Sequence, residues 1–124
     1  MARLHERVPL AAALDAGLVT AFVAIGRRNH DEDPGVVGLL ETAAPFLIGL
    51  AVGWLVARAW RDPMPIRAGL IIWPTTVVVG MILRQLTDAG TALSFVIVAT
   101  LFVGATLVGW RVITAAVTPK RSTA

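Results

Sequence analysis

The sequence predicts an all-α fold, a four-helix bundle integral to a membrane, and three observations lead there. Of 124 residues, 56% are hydrophobic and only 15% are charged, and the mean hydropathy is +0.76. A soluble domain is about a quarter charged and must turn many side chains to water. The apolar residues fall into four runs of the length a helix needs to cross a bilayer, roughly 17–25 residues, and none alternates with the period of two of a barrel strand. Lys and Arg stand at the ends of these runs rather than along one face. The net charge of +3 therefore speaks for membrane topology and against nucleic-acid binding. The chain has no cysteine, which excludes disulfides, thiolate metal sites and cysteine nucleophiles.

The spans follow in order within a single transmembrane domain, 1–124. The first, 8–26, is broken only by Asp15. The second, 36–57, carries Glu41 near its start. The third, 66–83, is the shortest, and the fourth, 91–112, is uncharged until Arg111. The connections 27–34, 58–65 and 84–90 are short, so consecutive helices should be antiparallel neighbours. Pro63 and Pro65 should stop any helix running through the second connection.

One side of the bundle collects Arg3, Arg7, Arg58, Arg61, Arg67, Arg111, Lys120 and Arg121; the other holds Arg27, Arg28 and Arg84. The positive-inside rule then places both termini of a multi-pass membrane protein in the cytoplasm. Trp54, Trp60 and Trp110 map to the cytoplasmic boundary, where indole rings anchor at headgroup level, and Trp73 lies deeper.

A shift of 56 residues lays the second hairpin on the first. Arg28 meets Arg84, and Phe46, Gly53 and Trp54 meet Phe102, Gly109 and Trp110, so F-x6-G-W occurs twice. Either the bundle is two repeated helical hairpins, or these residue types recur by chance in an alanine-rich chain. A true repeat predicts that the second and fourth helices pack centrally through small-xxx-small faces, Gly49 and Gly53 against Ala105 and Gly109.

Asp15 is the residue with most chemistry to explain. A charge near the bilayer centre costs at least about 2.5–3.5 kcal/mol, so it should face the interior as a proton- or cation-binding carboxylate, or bond a hydroxyl of Thr75, Thr76 or Thr20. Glu41 and Arg84 fall at similar depth near the outer end and should pair. Pro45 and Pro74 should interrupt their helices, and two such breaks point to a transporter binding site; an ordinary kink is the plainer reading of each. His30, within HDED, could bind a metal together with its three acidic neighbours, but a solvated loop is the simpler reading. No catalytic motif appears, so neither an enzyme activity nor a cofactor or metal is expected.

Asp15, GRRNHDED (26–33), Pro45-Phe46, LRQLTDAGTALSF (83–95) and the terminal GWR (109–111) resemble the Domain of Unknown Function 3054 family of small bacterial and archaeal membrane proteins. That resemblance implies four membrane helices and no assigned activity. An acid in the first of four spans is also similar to the small multidrug resistance transporters. Those rely on Tyr and Trp beside the acid, whereas this chain has no Tyr and its tryptophans map elsewhere. Gly80–Arg84 and Gly90-Thr91 look similar to a fluoride-channel pattern, without the pore asparagine.

Two functions follow as expectations. One is a proton- or ion-coupled transporter or channel centred on Asp15. The other is a non-catalytic subunit or scaffold packing through glycine faces, its partners being the lipid bilayer and either a second copy or another membrane protein. Convergence of Asp15, Glu41 and Arg84 on a wet cavity would favour the first; a dry packed centre would favour the second.

Overall fold

The computed structural model describes residues 4–29, 35–87 and 91–118. It consists of α1 (Leu4–Asn29), α2 (Val36–Ala57), α3 (Ile66–Leu86) and α4 (Leu93–Val117), with no strand among the described residues. All four are long and apolar enough to cross a membrane. Their outer surface is apolar as well: Leu10, Leu55, Leu101 and Ile113, one on each of α1 and α2 and two on α4, are 64–67% exposed. Water would penalise such a surface, whereas acyl chains match it. The HDED segment around His30 lies outside the described residues.

The helices begin and end where chain chemistry changes, with departures from the expected limits: α1 covers Leu4–Asn29 rather than 8–26, and α3 continues through Arg84 to Leu86 rather than ending at 83. α4 runs to Val117, five residues past the expected end, because Val112–Val117 holds no helix breaker and the next proline is Pro119. The prolines do not interrupt their helices: α2 continues through Pro45 and α3 through Pro74. A proline removes one ladder bond, and packing against neighbouring helices holds the segment straight enough to continue. The hydroxyls of Thr42, Thr75 and Thr76 donate to carbonyls four residues back, Gly38, Ile71 and Ile72, at 2.9, 2.7 and 2.7 Å.

α2 closes on Arg58, which adopts the left-handed conformation (φ 55°, ψ 42°) while the Ala59 N–H donates to the Trp54 carbonyl at 3.0 Å. Glycine is the usual occupant of this position, since a Cβ there costs on the order of 1 kcal/mol.

Close approaches fix the topology. Along α2, Gly49 abuts Thr76 and Gly80 of α3, and Gly53 abuts Ile72, so index falls on one helix as it rises on the other. Likewise Gly69 of α3 abuts Leu107 and Val108 of α4, and Gly104 abuts Trp73. Both pairs are antiparallel. α1 packs on α2 and α4, giving a ring in which α1 faces α3 and α2 faces α4 across the centre.

This corrects the expected glycine packing. Gly49 and Gly53 do pack tightly, but on α3 rather than α4. A Cβ at Gly49 would stand 2.6 Å from the Thr76 carbonyl oxygen, and one at Gly53 would stand 3.1 Å from the Ile72 backbone. Ala105 is exposed and Gly109 has nothing within 4 Å. The small residue of α4 that matters is Gly104, one position earlier and so about 100° round the helix.

The centre is filled in two layers. Phe22 meets Phe46, Phe95 and Phe102, and Phe46 meets Phe95, with ring centroids 5.4–6.0 Å apart. About 10 Å along α1, at a rise of 1.5 Å per residue, stands Asp15.

Candidate functional site

Asp15 is completely buried, and so is Arg111, 96 residues later. Their side chains meet in a two-bonded fork: Nη2 donates to Oδ2 at 2.7 Å and Nη1 to Oδ1 at 3.0 Å. Each carboxylate oxygen also accepts an indole N–H. Trp54 donates to Oδ2 at 2.9 Å, and Trp110 donates to Oδ1 at 2.8 Å. Four donors thus converge on one carboxylate from α2 and α4, and none of the four can accept a proton in return. The arrangement matches an anion.

Arg111 is held equally fully. Its Nε donates to the Pro63 carbonyl at 2.8 Å and Nη1 also donates to the Leu107 carbonyl at 2.9 Å. The guanidinium carbon lies 4.4 Å from the Trp110 ring centroid, so that indole donates to the anion and presents its face to the cation. Planar guanidinium and carboxylate match in a fork as no Lys could.

Local structure explains how each group arrives. Arg111 lies six residues before the end of α4, inside the helix. Its aliphatic stem crosses α3 at Gly69, where an added Cβ would stand 3.0 Å from its Cδ. Trp54 sits in the last turn of α2. The 58–65 connection then folds beneath the pair, with Ala59 and Pro63 buried. Asp62 stiffens it by accepting the Met64 N–H at 3.1 Å. Among the described residues no buried side-chain polar atom lacks a partner.

Of the residues expected from sequence to bind an ion or proton, only Asp15 belongs to this cluster. Thr75 and Thr76 bond their own helix and not Asp15, because a hydroxyl one turn from a carbonyl finds an acceptor without any tertiary contact. Glu41 is exposed, and no ion pair joins it to Arg84. Arg84 instead places its guanidinium carbon 4.4 Å from the Phe95 ring centroid. With Glu41 exposed, an ion pair there would contribute little, at most about 1 kcal/mol, so packing is free to place Arg84 elsewhere. Trp54 and Trp110, expected to anchor at the boundary, turn inward because a buried carboxylate needs their N–H groups. The acid therefore does have tryptophans beside it.

An apolar cleft of about 600 Å³ lies between α3 and α4, lined by Trp73, Val77, Met81, Gln85 and Thr100 among others. It reaches neither Asp15 nor Glu41. Among the described residues no group of three His, Asp or Glu side chains could hold a metal.

From sequence, Arg111, Trp110, Trp54 and Pro63 mark boundaries, a repeat and a helix stop rather than this site, and Gly69 carries no mark. One signal was present: Val112, Ile113 and Ala115–Val117 continue the apolar run past Arg111, so this cation sits within a span and not at its edge. Compared with known proteins, the chain matches a family profile described as "Protein of unknown function (DUF3054)" over residues 12–114. No curated protein matches it, and no solved structure matches it.

Proposed function

The chain belongs to the DUF3054 family, whose function is unknown, and we propose that it acts as a closed, non-catalytic subunit of a membrane assembly rather than as a transporter or channel. The observation that carries this reading is the saturation of Asp15 by four donors in a fully buried site. A coupling carboxylate must exchange its ligand or proton with water on both sides of a membrane. Here the phenylalanine layer fills one side and the 58–65 connection covers the other. Glu41 and Arg84, the other ionisable groups expected to converge, stand apart from it.

The glycine faces are used inside the bundle, so the partner meets the apolar outer helix surfaces. The arginine asymmetry supports an orientation with both termini in the cytoplasm of a plasma membrane, and Arg58, Arg61 and Arg67 then lie on that side. A reporter fused at Gly35 should give a signal from outside the cytoplasm; one from inside overturns this orientation.

Purified protein reconstituted into vesicles with a trapped pH dye tests the closed bundle. Wild type and Asp15→Asn should both leak protons and monovalent cations no faster than empty vesicles. Flux in the wild type that vanishes in Asp15→Asn would make the ion pair a gate and reverse the reading. Cross-linking in native membranes should place the chain in a complex of defined size, and a monomer alone would count against a subunit.

A further inference from the structure

The basic 58–67 segment carries an inference that holds whether or not the bundle conducts, resting only on four membrane-crossing helices. α2 ends at Ala57 and α3 begins at Ile66, so the connection between them stands just outside the hydrocarbon, at headgroup level. It presents Arg58, Arg61 and, in the first turn of α3, Arg67, all exposed, with Trp60 half-exposed among them at 49%. Among the described residues none of these three guanidinium groups meets a carboxylate or carbonyl. The one acid of the segment, Asp62, is turned back on the Met64 N–H.

Two of the arginines occupy positions where local structure disfavours them. Arg58 is left-handed at a site that glycine fills at lower cost. Arg67 stands in the first turn of a helix, where the dipole repels a cation. The fold does not account for either, so what they bind lies outside it. Arg111 ties the segment's backbone to the bundle at the Pro63 carbonyl, so the three arginines project from an anchored connection.

We infer that this segment binds the anionic headgroup of a phospholipid, with Trp60 seated at the headgroup boundary beside it. Phosphate diester and guanidinium match in geometry as well as charge. Each arginine near an anionic surface strengthens association about fivefold, so three together give on the order of a hundredfold.

Native mass spectrometry of the detergent-purified full chain, titrated with phosphatidylglycerol or phosphatidylcholine, measures the preference. Wild type should retain phosphatidylglycerol at least tenfold more tightly, and Arg58→Gln/Arg61→Gln/Arg67→Gln should bind both lipids alike. Arg58→Gly is the second variant, since it relieves the backbone. It should lower the preference about fivefold while raising Tm by a few degrees. The inference is overturned by equal binding of both lipids to wild type, by a preference that survives the triple change, or by inorganic phosphate at millimolar concentration displacing the lipid. It is also overturned if Arg58→Gly lowers Tm and leaves the preference intact, which would make the side chain structural.

Discussion

Replacing Arg111 with Met isolates the energetics of the buried pair, because Met fills a similar volume without charge. The substitution removes both bonds to Asp15 and the donors to the Pro63 and Leu107 carbonyls. Asp15 is left as a fully buried anion with two indole donors. Breaking one partner of a buried pair costs about 3–5 kcal/mol, chiefly because the remaining charge is uncompensated. At roughly 4 °C per kcal/mol for a chain of this size, Arg111→Met should lower Tm in detergent by roughly 10–20 °C. Asp15→Asn should cost about 3 kcal/mol, the low end of that range, since Arg111 keeps two carbonyls and the Trp110 face. The double variant buries no charge, but it leaves one indole N–H and the Pro63 carbonyl without their partners, at about 1–3 kcal/mol each. It should therefore be more stable than the sum of the singles predicts, because neither charge is left buried alone. Thermal unfolding of the four proteins in one detergent completes the cycle. Additive losses, or a loss under about 1 kcal/mol for Arg111→Met, would refute the buried fork.

The remaining expectations concern the neighbours of the pair. Trp54→Phe keeps an aromatic ring but loses the pyrrole portion and with it one donor to a charged acceptor, so it should cost at least about 1.5–3 kcal/mol, read as a lower Tm. Gly49→Ala should destabilise the α2–α3 seam, because its Cβ would stand 2.6 Å from a backbone oxygen, while Gly109→Ala, with open space, should be neutral or gain about 0.5–1 kcal/mol from reduced unfolded-state freedom. Equal effects at the two glycines would contradict the seam described above. Glu41→Gln should change stability by less than about 0.5 kcal/mol, and a charge swap between Glu41 and Arg84 should show no coupling in unfolding measurements.

Much of the cluster was within reach of the sequence, in pieces. The twofold F-x6-G-W pattern has structural counterparts at both ends. Phe46 and Phe102 both meet Phe22, and Trp54 and Trp110 both donate to Asp15. The pattern named residues that work together without saying what they work on. Asp15 stood out because charge inside a span is expensive. Arg111 did not, because a cation near a span's end reads as a boundary marker until α4 is known to continue to Val117.

Length and hydropathy by themselves determined four helices, their order and, nearly to the residue, the limits of α2. They did so because crossing a bilayer demands a fixed length of unbroken apolar helix. Tertiary structure alone decided which face of each helix turns inward. In water an apolar stripe would mark that face, but these helices are apolar nearly all round, so no pattern sets their rotation. Gly104 rather than Ala105 packs on α3, Thr75 and Thr76 bond at home, and Trp54 and Trp110 turn to Asp15. Each outcome follows from a rotation and depth fixed only when four helices pack together and the first helix's anion finds the last helix's cation.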